Sequence, residues 1–438
     1  MGAADVFLTR TRIDPTFLEV RPGDWVVLKP NLVKECNEAH PEEWESVITS
    51  ERVIRLVCED VGAKLAGRGR ITICDAPQTD SRFADIARRL HLPELAQEYQ
   101  AKFGVPVEVV DLRNEEWVNQ DGIITERRRL SGDPHGSIAF NLGRDSLFYG
   151  YHGEGRYYGA DYDAGVVNRR HCGERQEYLL CATPIKADVF INLPKMKTHK
   201  KAGVTLNLKN LVGINADKNW LPHHTDVDSK TGAGDQFVQT SPLRRMEQRA
   251  VKMVRRTALR YPTFGTRLAR VLRLLGTRVF GDAKEVIRSG NWHGNDTCWR
   301  MVLDLNRCLL YGNPDGTFRS DRPKRYYSLI DGIIGMQGAG PMHGEPIHSN
   351  VLIGGTDPAV VDLVAARVMG FDWQKIPVIR EAFALQRLPI TGVQPQHIVV
   401  KSEIPEWNGR FVDIVGHRFL QFAPHFGWKG HIEYEAGN

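Results

Sequence analysis

The residues with the most evident chemical potential lie between Lys195 and Lys201, where four lysines and one histidine occur within seven positions. An apolar run at 189–193 precedes them and ends at Pro194, which predicts a buried strand followed by a cationic loop. Open α/β sheets bind ligands at the carboxyl ends of their strands. Ammonium groups crowded together repel one another unless an anion lies between them. The stretch therefore predicts a site for an anionic group, and a solvated lysine-rich loop is the simpler alternative.

Lysines and asparagines also occur at the ends of other predicted strands. Lys29 and Asn31 end one apolar run, and the alternating segment 204–211 carries further polar side chains. Because the carboxyl ends of parallel strands lie along one edge of a sheet, we expect these side chains to converge. We predict that lysines neutralise an anion there and that asparagines orient it. The substrate-binding candidates are Lys29, Asn31, Asn192, Lys197, Asn207 and Asn210, and the candidate catalytic lysines are Lys195 and Lys209.

Histidines supply the candidates for proton transfer. His199 lies in the lysine-rich stretch, and His223 and His224 lie in the segment 221–228 together with two aspartates. We predict that His199, or His223 and His224, act as general acid or base. The spacing in 221–228 matches no zinc motif, and a polar surface loop explains that segment equally well.

The sequence leaves the cofactor open, and a divalent metal ion is the candidate. Asp75 and Asp331 each follow a predicted strand, and carboxylates at such positions are candidate metal ligands. The seven cysteines are scattered and form no CxxC pair. The cysteine pattern therefore indicates neither a disulfide framework nor a local zinc or iron–sulfur site.

A glycine-dense segment at 335–344 is a further candidate for binding the anionic group. Backbone amides that carry no Cβ nearby can approach a phosphate or carboxylate closely, although such segments also form ordinary tight turns. The glycines predicted to contribute to substrate binding are Gly338, Gly340 and Gly344.

The composition is that of a soluble globular protein, with 42% apolar and 25% charged residues among 438. No apolar run is long enough to span a bilayer, and residues 1–12 lack the apolar stretch of a secretory signal. The net charge of +5 implies little about partners. We expect a cytoplasmic protein.

Strand and helix patterns alternate along the first hundred residues, which predicts an α/β fold with a doubly wound, mostly parallel sheet and helices on both faces. Within it, Ser50 is the predicted N-cap of a helix that ends at Gly62. The predicted divisions are 1–112, the first α/β half; 113–180, an irregular β-rich insertion covering the site; 181–240, the central strand and lysine/histidine motif; 241–312, a basic helical insertion; and 313–438, the second α/β half and tail.

The segment 241–280 has the strongest shift in composition, with eleven basic residues and one acidic residue. Apolar residues at helical spacing predict two basic amphipathic helices. An anionic membrane surface or an acidic protein partner would suit such helices. A helical hairpin packed on the sheet with a solvated basic face is the simpler interpretation, and nucleic acid is not the expected partner.

Eight short motifs follow one another along the chain, at 28–33, 74–77, 191–199, 208–213, 331–333, 338–344, 355–358 and 361–362. Taken in this order, they resemble the domain-of-unknown-function 362 family (DUF362). The resemblance spans roughly residues 21–390 and implies a soluble bacterial or archaeal protein. Some members carry an appended ferredoxin-like cysteine module, which this chain lacks, and the resemblance implies no particular reaction.

Together these patterns predict an enzyme that acts on an anionic small molecule, phosphorylated or carboxylated. A hydrolase or group transferase, with or without a divalent metal, agrees best with them, and electrostatic stabilisation of developing negative charge would be its main catalytic effect. A lysine could instead form a Schiff base with a carbonyl. The alternatives are a non-catalytic carrier of a metal, an iron–sulfur cluster or a nucleotide, and a peripheral membrane protein anchored by 241–280.

Overall fold

An eleven-stranded mixed sheet lies at the centre of the molecule, in the order β18-β17-β1-β16-β15-β11-β2-β3-β4, with β12 and β13 attached beside β15. Six of its ten strand pairings are parallel. The strands are β1 Ala4–Thr9, β2 Trp25–Pro30, β3 Arg70–Asp75, β4 Val107–Asp111, β5 Glu115–Gln120, β6 Ile123–Arg129, β7 Ser137–Asn141, β8 Tyr157–Gly159, β9 His171–Cys172, β10 Arg175–Cys181, β11 Val189–Leu193, β12 Lys195–His199, β13 Gly203–Thr205, β14 Pro222–Thr225, β15 Arg325–Gln337, β16 Glu345–Gly355, β17 Ile398–Ser402 and β18 Gly409–Arg410.

The computed structural model describes residues 4–9, 19–120, 123–160, 163–226, 234–238, 287, 289–321, 324–414 and 420–435. The basic segment 241–280, with its predicted amphipathic helices, lies outside the described residues. In the described part of the chain, no helix is long and apolar enough to cross a membrane.

Helices cover both faces of the sheet, as the strands themselves require. In β2 the side chains of Val26 and Leu28 join one apolar cluster, and that of Val27 joins another, because successive side chains of a strand point to opposite faces. Helices α1 to α3 pack in the first cluster, and α7 and α8 in the second. The predicted α/β class is confirmed. The helices are α1 Glu51–Leu65, α2 Phe83–Arg89, α3 Leu92–Phe103, α4 Ala164–Arg170, α5 Ala182–Lys186, α6 Asn207–Asn210, α7 Cys298–Tyr311, α8 Pro358–Val368 and α9 Pro377–Arg380.

Helix α1 begins where the sequence predicts and ends later. The Ser50 hydroxyl accepts a hydrogen bond from the Arg52 amide at 3.2 Å, so the N-cap is present. The helix continues past Gly62 to Leu65. A Cβ at Gly62 would overlap the ring of Phe103. This glycine therefore permits close packing of α1 on α3 and does not end the helix.

The lysine-rich stretch is a strand and not the predicted loop. Residues Lys195–His199 form β12, which pairs with β15 and β13, and all five are buried. Asp331 likewise lies in the middle of β15, whose hydrogen bonding with β16 continues to Gln337. The sheet thus extends beyond the edge at which a ligand was predicted to bind.

Candidate anion-binding site

A cavity of about 370 Å³ lies where β2 and β3 end. Its volume suits a small molecule. Segments that are distant in sequence meet there, including Trp117 of β5 and Ile124 of β6 from the predicted insertion. Six lysines line the cavity: Lys29, Lys197, Lys200, Lys201, Lys209 and Lys218.

The structure brings half of the predicted site residues to this cavity. Those that line it are Lys29, Asn31, Asp75, Lys197, His199, Lys209, Asn210 and His223. Those that lie outside its lining are Asn192, Lys195, Asn207, His224, Asp331, Gly338, Gly340 and Gly344. Next to the last group, Pro341 and Met342 do reach the cavity.

A buried ion pair forms part of the cavity wall. The Lys29 ammonium lies 2.7 Å from Asp75 Oδ1 and donates to the Pro30 carbonyl at 2.8 Å. The other Asp75 oxygen accepts from the Leu32 amide at 2.7 Å. Lys29 and Asp75 therefore neutralise each other, so this pair contributes no net charge to the binding of a ligand.

Lys197 has no such compensation. Its ammonium donates to Asn31 Oδ1 at 2.8 Å and to the Val47 carbonyl at 2.7 Å, and both acceptors are neutral. Burial, together with the charges of Lys195 and Lys209, lowers the pKa of Lys197 well below its usual value. An anion in the cavity would stabilise the charged form of Lys197 and so reduce the free energy required to keep that charge buried.

A series of hydrogen-bonded asparagine side chains holds Asn31 in place beside Lys197. Asn31 Nδ2 donates to Asn210 Oδ1 at 2.8 Å, and Asn210 Nδ2 donates to Asn192 Oδ1 at 2.7 Å. Asn192 in turn donates to the Asn207 carbonyl at 2.9 Å. Buried Asp362 accepts from the backbone and side-chain amides of Asn207 at 2.8 and 2.9 Å, which fixes the start of α6. Asn192 and Asn207 thus position the site and do not line it.

Lys209, carried by α6, is buried without a compensating partner. It is 9% exposed, and among the described residues its ammonium has no hydrogen-bonding or ion-pairing partner. Burial and the neighbouring charges of Lys29 and Lys200 lower its pKa. A buried polar group without a partner is costly, so Lys209 is poised to take an anionic ligand.

The hydrogen bonds of His199 fix the position of its ring proton. Nδ1 accepts from the backbone amides of Lys201 at 3.0 Å and of Ala202 at 3.2 Å. Nδ1 must therefore carry the lone pair, and in the neutral ring Nε2 carries the proton. Burial, with the charges of Lys209 and Lys200, lowers the pKa of His199 well below its usual value. His199 is thus a neutral hydrogen-bond donor at Nε2.

His223 has the opposite tautomer. Its Nδ1 lies 3.0 Å from the Leu221 carbonyl, which can only accept, so Nδ1 carries the proton and Nε2 the lone pair. Burial, followed by the charges of Lys201 and Lys209, lowers the pKa of His223 well below its usual value. The cavity therefore holds one imidazole that donates at Nε2 and one that accepts there.

We expect 15N NMR of the histidine side chains to show Nε2–H for His199 and Nδ1–H for His223 at pH 7, with both rings still neutral near pH 6. The substitutions His199→Asn and His223→Asn would assign the signals, because asparagine retains an acceptor or a donor near the Nδ1 position. Since folding lowers both pKa values, protonation favours the unfolded state, and stability falls as the pH drops below about 6.5. Identical tautomers, or charged rings at pH 7, would contradict the assignment.

Lys195 and Asp331 form an ion pair of their own, removed from the cavity lining. The Lys195 ammonium lies 2.8 Å from Asp331 Oδ2, and both side chains are fully buried. Asp75 and Asp331, the candidate metal ligands, are thus each paired with a different lysine. Across the described ranges, no three His, Cys, Asp or Glu side chains are grouped in a way that could hold a metal ion.

Some site residues have little sequence signal. Lys200 and Lys201 lie in the lysine-rich stretch, but nothing distinguishes them there from the other lysines. Lys218 and Trp117 come from segments without a recognisable motif. The weakly patterned tail also contributes, because Trp428 Nε1 donates to the Lys200 carbonyl at 2.9 Å and holds the turn between β12 and β13.

No curated protein matches the sequence significantly. Two solved structures, each 11% identical, are similar. A structural-genomics crystal structure of a protein from Thermotoga maritima has a TM-score of 0.28 over 78% of this chain and 52% of its own. The lactate racemase apoprotein from Thermoanaerobacterium thermosaccharolyticum has a TM-score of 0.31 over 84% of this chain and 57% of its own. The chain thus spans little more than half the length of either, and TM-scores this low give no basis for transferring a function.

The sequence profile described as "Domain of unknown function (DUF362)" matches residues 116–367, which is more than half of the 438 residues. The matched range contains five of the cavity's six lysines, all except Lys29, and it includes His199 and His223. The chain belongs to the DUF362 family.

Proposed function

We propose that the protein is an enzyme that acts on a small molecule bearing a phosphate or carboxylate group, and that it is a hydrolase or group transferase. One observation carries this proposal: four lysines of the cavity form no ion pair with a carboxylate of the described residues. They are Lys197, Lys200, Lys201 and Lys209. Positive charges gathered in a half-enclosed cavity raise the local concentration of anions.

The same lysines would stabilise a transition state. Negative charge that develops on a bound phosphoryl or acyl group meets ammonium groups already held in place by the sheet and α6. Such preorganised donors contribute about 3–4 kcal/mol each when well aligned. Lys197 and Lys209 are the two that the sequence pattern also predicts to contact the substrate, and neither has a carboxylate partner among the described residues.

The two histidines would have different roles in proton transfer. His223 presents a lone pair at Nε2 and would remove the proton from an attacking water or hydroxyl. His199 presents a proton at Nε2 and would stabilise the negative charge that forms, or protonate the leaving group. Anion binding raises the pKa of both rings, which brings them toward the range in which general acid–base catalysis is effective.

The proposal predicts that multivalent anions stabilise the protein specifically. Pyrophosphate or inorganic phosphate should raise the melting temperature, whereas chloride at matched ionic strength should not. A ligand present at 100 times its dissociation constant adds about 2.7 kcal/mol. Lys209→Met and Lys197→Met should lose most of this effect, and the matched control Lys375→Met, at an exposed position, should keep it. Equal stabilisation of all three variants would overturn the proposal.

The stabilisation should also depend on pH. Burial lowers the pKa of Lys201 to about 7, and anions bind the protonated lysines. Binding should therefore weaken as the pH rises from about 6 to 9. An anion effect that is constant over this range would contradict the assignment of the buried lysines as ligands.

A further inference from the structure

Lys201 differs from the other cavity lysines in its partner. Its Nζ lies 3.1 Å from Nδ1 of His224, and it makes no ion pair with any carboxylate that the structure describes. The His224 ring is 6% exposed and stacks on Tyr158, with ring centroids 4.8 Å apart and an interplanar angle of 6°. The amino group of Lys201 is thus held against a fixed, buried imidazole.

Burial, together with the charges of Lys200 and Lys209, favours the neutral form of Lys201, and Cys298 and Asp235 act in the opposite direction. Lys201 lines a cavity shared with Lys200 and Lys209, and both charges disfavour another ammonium group. Burial has the larger effect, and the pKa of Lys201 falls to about 7. A substantial fraction of Lys201 is therefore a free amine at neutral pH, the form in which lysine is nucleophilic.

Three other lysines of the cavity are worse placed for this role. Lys29 is neutralised by Asp75 at 2.7 Å. Lys197 donates hydrogen bonds to Asn31 Oδ1 and to the Val47 carbonyl, and among the described residues it has no imidazole partner. Lys209 faces the cavity but has no imidazole within hydrogen-bonding distance among the described residues. Lys201 alone among these four combines access to the cavity with an adjacent proton carrier.

We propose that Lys201 forms an imine with the carbonyl group of an anionic substrate, such as an aldehyde or 2-oxo acid that bears a carboxylate or phosphate. This inference rests on the proposed function, because the same cavity would hold the anionic group through Lys197 and Lys209. It narrows the substrate to a carbonyl-bearing anion and the group transfer to one that proceeds through a covalent lysine adduct.

The chemistry balances without an oxidant or reductant. The Lys201 lone pair attacks the carbonyl carbon, and the carbonyl π electrons move to the oxygen. His224 takes one proton from the nitrogen and passes it to that oxygen, giving a neutral carbinolamine. His224 then carries the second nitrogen proton to the hydroxyl group, which leaves as water while the electrons of the broken N–H bond form the C=N bond. Amine and carbonyl thus become imine and water.

Reductive trapping tests the proposal. The wild-type protein is incubated at pH 7 with glyoxylate and sodium cyanoborohydride, and modified lysines are located by peptide mass spectrometry. Lys201 should be labelled at least about tenfold faster than the exposed Lys375, and pyrophosphate should suppress the labelling of Lys201 but not of Lys375. Acetaldehyde, which carries no charge, should show a much smaller preference. Labelling of Lys201 no faster than of Lys375 would overturn the proposal, as would faster labelling of Lys209.

Two further measurements separate the possible causes of failure. Lys201→Arg keeps the positive charge and should abolish the fast labelling without transferring it to Lys209. If this variant does not fold, pyrophosphate protection in the wild-type protein decides the question alone. If pyrophosphate stabilises the protein but Lys201 is not labelled, the anion site is supported and the imine proposal is wrong. If neither effect is seen, the proposed function is wrong as well.

Discussion

Lys195→Met is expected to lower the free energy of unfolding by roughly 3–5 kcal/mol. The substitution removes one partner of an ion pair in which both side chains are fully buried and the charged atoms lie 2.8 Å apart. The Asp331 carboxylate would keep only its bonds from the backbone amides of Ser50 at 2.6 Å and Ile333 at 3.0 Å. A buried charge left without its counterion is costly. Urea unfolding followed by circular dichroism measures the loss.

Lys209→Met is the matched control, since the same side chain is replaced at another buried position. Lys209 has no ion-paired partner among the described residues, so its loss strands no opposite charge and removes repulsion with neighbouring lysines. We expect an unchanged or higher free energy of unfolding, together with the loss of pyrophosphate stabilisation. Adding Asp331→Asn to Lys195→Met should recover part of the stability. Equal destabilisation by the two lysine substitutions would contradict this division between a structural and a ligand-binding lysine.

The sequence does not predict which lysine is structural and which binds the ligand. Lys195 and Lys197 occur in the same local pattern, and the Asp331 that pairs with Lys195 lies 136 positions away. Local periodicity does not reveal such a partner, so both lysines were candidate site residues. A run rich in lysine is also typical of a loop, and only the pairing of β12 with β15 and β13 accounts for its burial.

The strand ends, in contrast, were predictable. Buried parallel strands have a clear apolar signal, and their carboxyl ends share one edge, so the convergence of Lys29 and Asp75 follows from the order of elements. Asn210 was predicted at the end of another strand, but it lies in α6 after the short antiparallel strand β13. Contacts made by weakly patterned segments do not follow in this way. Trp428 and Trp117 reach the site through tertiary packing that no local motif encodes.

Gly213→Ala is expected to be the most damaging change of a single methyl group in the site. A Cβ at this position would overlap Asp75 Oδ1 and lie 2.7 Å from Lys29 Nζ. The backbone cannot move away freely, because the Gly213 carbonyl accepts from the Ala76 amide at 2.7 Å. The methyl group would therefore force the buried ion pair apart. We expect a loss of roughly 3–5 kcal/mol, far above the gain of about 1 kcal/mol that alanine offers over glycine in a helical turn.

Gly392→Ala tests whether steric overlap causes this loss. A Cβ at Gly392 meets no atom within 4 Å. The free energy of unfolding of the Gly392→Ala variant should therefore differ from that of the wild-type protein by less than about 1 kcal/mol. Combining Gly213→Ala with Asp75→Ala opens the space that the new methyl group requires, but it strands the charge of Lys29. The double variant should therefore remain unstable. Full stability of Gly213→Ala would mean that the pair can separate at no cost, and the buried Lys29–Asp75 contact would then not be what holds this wall of the cavity.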